Sequence, residues 1–293
     1  MKRRMPLTEK ELLKKIKEKK EFQGLADKIV EKALKEYIKK YNLSIKNISS
    51  PQAKIIVKEI RSHLRNLVGR FQKSIKDRNK FLESGQIDKL LKTHISTAER
   101  IKTYPFLKKL IKKISPDSIL DLGCGLNPIA LATLKIKYYA SDIKEDELEI
   151  IERFFKKRNI KGKTFVYDLT NVKNDLPKVE LCLLFKVLDI IDDKNHKISE
   201  DILLKVPCKK ILISFATKKL SGRAMNFPER IWFEKLLKKH NLEFKKYERE
   251  NEIFYLIEKS TTTHKQSRTA RNQERSYHQN KRMLNAPLYR TFC

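Results

Sequence analysis

The segment Ser118-Ile-Leu-Asp-Leu-Gly-Cys-Gly-Leu-Asn-Pro128 leaves this chain few folds to choose from. An apolar run ends near an acidic residue, Asp121, two glycines follow, and Pro128 stands where a helix begins. Glycine is required at 123 and 125 because a side chain there would obstruct anything approaching the turn, and because positive φ is expected. The third glycine of a dinucleotide-binding turn is absent, in the neighbourhood of Asn127-Pro128. The turn therefore suits a ligand with no pyrophosphate to cradle.

Around this segment, short apolar runs at 119–122, 138–140, 164–166, 181–185 and 211–215 alternate with helical stretches, the clearest at 146–157. That rhythm predicts a parallel, doubly wound α/β sheet. Two alternating runs, 243–247 and 253–258, follow across a polar turn and read as an antiparallel hairpin at the sheet edge. Five parallel strands with such a hairpin form the Rossmann-like pattern of class I methyltransferases rather than that of dehydrogenases. S-adenosylmethionine is accordingly the expected cofactor, ahead of a nicotinamide or a flavin. Asp142 ends the second strand, where an acid can accept from both ribose hydroxyls. Asp168, followed by Leu169, ends the third and is placed to receive the adenine amino group. Each could instead cap a following turn.

The first hundred residues show helical periodicity instead. Leu25, Ile29, Val30, Ala33, Leu34, Tyr37, Ile38 and Tyr41 form one apolar stripe. Ser50-Pro51 reads as an N-cap and first helical residue, opening a helix through Ile56, Ile60, Leu64, Leu67, Phe71 and Ile75. Lys54, Lys58, Arg61, Arg65, Arg70, Lys73, Lys76 and Arg78 occupy its other faces. Residues 1–100 hold 27 basic and 12 acidic side chains in a chain of net charge +31. Such a field favours a polyanionic partner through counterion release. Residues 1–93 are thus expected to be a basic helical RNA-docking region, and 94–259 the catalytic domain. Cofactor binding is expected to survive removal of the former. Residues 260–293 lack apolar period and read as a disordered basic tail. Cys124, Cys182, Cys208 and Cys293 form no pair with metal-ligand spacing, so neither zinc nor disulfides are expected. With no apolar run of membrane length, a cytoplasmic location is expected.

Three motifs, in order, carry a resemblance. His94-Ile-Ser-Thr-Ala-Glu-Arg100, Ile119-Leu-Asp-Leu-Gly-Cys-Gly-Leu-Asn-Pro-Ile-Ala-Leu131 and Ile213-Ser-Phe-Ala-Thr-Lys-Lys-Leu-Ser-Gly-Arg223 closely resemble the aminoglycoside-resistance 16S rRNA (guanine-N7) methyltransferases of the Arm/Rmt type. The likeness spans about residues 20–259. The chain departs from that family at Phe215-Ala-Thr217, where the family has a Phe-Pro-x sequence, and in its tail.

The resemblance implies methyl transfer from S-adenosylmethionine to a guanine in the decoding site, with 16S rRNA in the 30S subunit as partner and the chain acting as a monomer without a metal. It implies that Arg100 binds the methionine carboxylate, which a guanidinium can grip through two parallel bonds. Asp121, Gly123, Gly125, Asp142, Asp168 and Leu169 complete the cofactor set. Lys218, Lys219, Ser221 and Arg223 would hold RNA phosphates or the target base, with Lys58, Arg61 and Arg65 docking. Ser96-Thr-Ala-Glu99 also reads as a capping box, which gives Thr97 and Glu99 a structural role. His94 and Trp232 read as packing residues. No Asn/Asp-Pro-Pro-Tyr/Phe follows the fourth strand, which disfavours an exocyclic adenine amine as acceptor. Guanine N7 carries an unprotonated lone pair and needs no general base. Two alternatives stay open: methylation of another rRNA or tRNA position, including a ribose 2′-hydroxyl, and a ribosome-binding protein without turnover.

Overall fold

The computed structural model describes residues 8–45, 48–68, 77–134, 136–218, 222–225 and 228–259. Phe71, Ile75 and the cations at 70, 73 and 76 lie outside these, as do Lys219, Ser221 and the tail 260–293.

Seven strands make one sheet: β1 (Ser118–Leu122), β2 (Lys137–Asp142), β3 (Gly162–Val166), β4 (Val179–Phe185), β5 (Cys208–Ala216), β6 (Glu243–Arg249) and β7 (Glu252–Glu258). Their order is β3-β2-β1-β4-β5-β7-β6. The first five are parallel and the last two pair antiparallel. This is the class I methyltransferase topology. Along β4, Leu181, Leu183 and Phe185 enter one apolar cluster while Cys182 and Leu184 enter another. Strand side chains alternate faces, so a run that is apolar throughout must be covered on both.

The helices supply that cover. α1 (Glu9–Lys17), α2 (Lys20–Gln23), α3 (Asp27–Lys40), α4 (Ser50–Val68), α5 (Arg78–Glu83), α6 (Ile87–Leu91), α7 (Ile95–Arg100) and α8 (Tyr104–Ile114) precede the sheet. α9 (Asn127–Leu131), α10 (Glu145–Lys157), α11 (Leu188–Ile191), α12 (Lys197–Lys205) and α13 (Ile231–Lys239) connect its strands.

Two sequence expectations need correction. β7 is buried from Glu252 to Ile257, so it does not alternate between core and solvent. It lies between β5 and β6, and of the hairpin's two strands only β6 is at an edge. The cap of α4 is Ser49, not Ser50: the Ser49 amide donates to Gln52 Oε1 at 2.9 Å and the Gln52 amide to Ser49 Oγ at 3.5 Å. Pro51 then occupies the first turn, where it forfeits no helical hydrogen bond.

Helices α1–α4 bury a core of their own, including Leu12, Phe22, Leu34 and Leu64, each 0% exposed. Each such side chain contributes about 1.5–3 kcal/mol of burial, which anchors these helices without help from their weak local preferences. Ile143 and Val166, at the carboxyl ends of β2 and β3, pack against this core. Among the described residues no helix is long and apolar enough to cross a membrane.

Candidate functional site

Strand order reverses at β1, whose neighbours β2 and β4 lead outward in opposite directions. Open α/β sheets bind ligands at the carboxyl side of such a point. A cleft lies there, floored by Gly123, Cys124 and Gly125 and walled by residues following β2, β3 and β4. Gly123 and Gly125 have φ of +62° and +48°. A Cβ on Gly123 would stand 2.7 Å from Val187 Cγ2, and one on Gly125 3.0 Å from His94 Cε1. Both the backbone and the packing therefore demand glycine.

Asp142 and Asp168 both line the cleft, as does Leu169. Asp142 Oδ2 accepts the Gly125 amide at 3.0 Å, and Oδ1 accepts the amides of Ile143 and Lys144 at 2.7 and 3.1 Å. One carboxylate thus ties the glycine turn to the end of β2. Burial, reinforced by the nearby Glu147 carboxylate, pushes its pKa up to about 7. Asp168 goes the other way. Burial alone would raise its pKa, but bonds from Lys32 and Thr170 hold it below the usual carboxylate range. Asp121 does not line the cleft. It is wholly buried beneath the turn and accepts the Tyr138 hydroxyl at 2.7 Å.

Arg100 borders the cleft and is 1% exposed. Its Nε and Nη2 donate to Glu252 at 2.8–3.2 Å, and its Nη1 donates to Asn127 Oδ1 at 2.7 Å. Burial would lower its pKa, but Glu252 more than compensates and the guanidinium stays charged. Three of its five N–H donors are engaged in these bonds, and Tyr104 shares a further hydrogen bond with the guanidinium. Glu252 also accepts the Ser214 hydroxyl and lies 3.7 Å from Lys186 Nζ. Lys186 follows β4 with φ of +59° and pairs with Glu99 at 2.8 Å. Ser96 lies inside α7, whose N-cap, His94, makes no side-chain capping bond, so there is no capping box. Thr97 lines the cleft and donates to Leu91 O at 2.6 Å, and Glu99 accepts from Lys186 at 2.8 Å.

His94 is buried against Gly125, and that burial lowers its pKa and keeps the imidazole neutral. Trp232 stacks on His196 at 3.8 Å. Trp232 thus makes packing contacts, whereas His94 lines the cleft. Among the described residues no group of three His, Cys, Asp or Glu could hold a metal.

The profile of the ribosomal RNA methyltransferase family FmrO matches residues 64–256. The chain belongs to this family. The 16S rRNA (guanine(1405)-N(7))-methyltransferase of Serratia marcescens is 29% identical over 217 residues, covering 70% of this chain and 83% of that protein. The enzyme of the same description from Micromonospora echinospora is 26% identical over 182 residues, covering 58% of this chain and 64% of that protein. The chain therefore matches just under two thirds of the length of that relative. Among solved structures, 16S rRNA methyltransferase RmtF in complex with S-adenosyl-L-homocysteine has a TM-score of 0.72 at 20% identity, over 85% of this chain and 97% of that one. At that identity the likeness is one of fold.

In this FmrO-family chain, Lys218 and Arg223 are exposed and lie beyond β5, outside the cleft lining, with Lys218 bridged to Ala224. Arg230 is buried and donates to both Asp189 carboxylate oxygens at 3.0 and 3.2 Å and to the Ala216 carbonyl at 3.0 Å. Lys58 is exposed. Arg61 and Arg65 are committed within the protein: Arg61 donates to the carbonyls of Lys15 and Ile16, and Arg65 grips Glu21 at 2.8 and 3.1 Å. Sequence reasoning missed Glu252, Lys186 and Asn127. The first two were detectable as lone charges adjoining apolar strands, Glu252 before Ile253-Phe-Tyr-Leu-Ile257 and Lys186 after Leu183-Leu-Phe185.

Proposed function

We propose that this protein is an S-adenosylmethionine-dependent methyltransferase acting on guanine N7 of 16S rRNA in the small ribosomal subunit. The observation that carries the reading is the cleft itself. Positive-φ glycines, two carboxylates at adjacent strand ends and a buried guanidinium converge on one opening. Those groups fit the cofactor. Asp142 would accept the ribose hydroxyls, Asp168 the adenine amino group, and Arg100 would meet the methionine carboxylate. Asp121 would act from beneath, holding the turn. When bound, the cofactor supplies an electrophilic methyl on sulfur.

The chain's remaining task is to place the acceptor. Guanine presents N7 and O6 on one edge. Lys186, fixed by Glu99 and Glu252 at the end of β4, can donate to O6 while N7 stays free. With no base needed, catalysis becomes positioning and electrostatics. Residues 1–93 and the loop after β5 dock the RNA through Lys58, Lys218 and Arg223, with Lys219 and Ser221 in the same loop and Arg61 and Arg65 shaping the docking face. We place the protein in the cytoplasm.

N7-methylguanosine carries a fixed charge, and the chain can be cleaved there by borohydride and aniline. Purified protein, cofactor and small subunits should give one new cleavage in the decoding region by primer extension. Methyl incorporation without such cleavage would move the acceptor to another atom.

A further inference from the structure

The carboxylate of Asp168 is held from the N-terminal helices as well as from its own loop. Its Oδ1 accepts both the Thr170 amide at 2.9 Å and the Thr170 hydroxyl at 2.7 Å. Its Oδ2 accepts Lys32 Nζ at 2.6 Å, and the same ammonium donates to Thr170 Oγ1 at 3.0 Å. A carboxylate offers about four lone-pair positions. These three bonds leave one, on Oδ2, which suits a single N–H donor entering the cleft that Asp168 lines.

Lys32 belongs to α3, and α3 is secured to the strand ends on which the cleft is built. Lys28 Nζ donates to Val166 O at 2.9 Å, the Ala26 amide to Ile143 O at 3.0 Å, and the Glu145 amide to Gly24 O at 2.8 Å. Ile29, one turn before Lys32, is itself part of the wall, as are Leu67 and Val68 of α4. Residues 1–93 thus supply part of the cleft wall, which argues against the expectation that cofactor binding survives their removal.

We propose that Lys32 is a positioning residue for the cofactor, aiming the last lone pair of Asp168 at the 6-amino group of adenine, and that the N-terminal helices are thereby part of the cofactor site. This rests on the cofactor assigned above. Among the described residues, two charged or titratable neighbours bear on the pair. Glu36 lies 3.8 Å from Lys32 Nζ, and Tyr167 adjoins Asp168. A simple tether between α3 and the sheet would use the same ion pair, so the test must read the purine itself.

Calorimetry on the full chain would compare S-adenosylhomocysteine with S-inosylhomocysteine, whose 6-oxo group cannot donate. Wild type should prefer the adenosyl compound. Lys32→Met should lose about tenfold for it, the scale of one hydrogen bond to a charged group, and stay within about twofold for the inosyl compound. Lys32→Met combined with Asp168→Ala should bind no worse than Asp168→Ala alone, and Lys32→Arg should recover part of the loss. Equal weakening of both ligands in Lys32→Met would make the lysine a tether and overturn the proposal, as would unchanged adenosyl binding. Failure of wild type to bind either compound would instead sink the cofactor assignment beneath it.

Discussion

The two ends of the cleft are built on different physical principles. At the β2–β3 end, Asp142 and Asp168 are half-buried, and their partners are backbone amides, one hydroxyl and one lysine. At the Arg100 end, a fully buried carboxylate, Glu252, faces two cations that are 1% and 7% exposed. Groups of the first kind can change partners because water reaches them. Groups of the second kind cannot, because removing one partner strands a charge in the core. The first end is therefore adapted to exchange a ligand, while the second is as much part of the fold as of the site.

The largest effect that could break this contrast lies at Arg100. Arg100→Ala should lower the unfolding free energy by about 3–5 kcal/mol, read from urea melts, because Glu252 loses its bidentate partner. Arg100→Met with Glu252→Met should recover part of that loss, limited by Ser214 and Lys186, which also lean on Glu252. Wild-type melting of Arg100→Ala would show that the network is not structural.

Asp142→Ala should behave oppositely. Cofactor affinity should fall tenfold or more, while stability drops by no more than about 2 kcal/mol, since the freed amides can meet water in the cleft. Calorimetry beside a thermal melt separates the two, and a collapse in stability without loss of affinity would reverse the assignment of roles.

A further effect concerns pH. Asp142 titrates near 7 because it is buried beside Glu147, and ribose hydroxyls donate best to the ionised form. Affinity should therefore rise up to about tenfold between pH 6 and 8, and Asp142→Ala should flatten the profile. The sign for the unliganded fold is the reverse. A carboxyl whose folded pKa is raised adds stability at low pH, and that stability is lost as pH climbs from about 4 through 7. A wild-type affinity that falls with pH would contradict the first statement, and an unliganded stability that rises from pH 4 to 7 the second.

The smallest effect is expected at Arg65. Its pair with Glu21 is about two-fifths exposed on both sides, so Arg65→Ala should cost at most about 1 kcal/mol in urea unfolding. A larger loss would mean that α2 depends on this pair rather than on the apolar core beneath it.

Much of the β2–β3 end was legible in the sequence. Gly123, Gly125, Asp142 and Asp168 all sit at strand ends, and a strand end shows itself locally as the place where an apolar run stops. The five parallel strands were readable for the same reason, since period and length mark them without reference to any other part of the chain. Arg100 was legible only through the motif that surrounds it. Its partner Glu252 is 152 residues away, and Lys32 lies 136 residues from Asp168.

Those pairings, and the insertion of β7 between β5 and β6, depend on strand order, which no local window encodes. Local spacing determined which residues turn, which alternate and which face a core, because backbone sterics and side-chain period act over a few residues. Only the tertiary structure decided which buried charges neutralise each other and that α3 closes the cleft, because desolvated charges select partners by proximity in the packed fold rather than by distance along the chain.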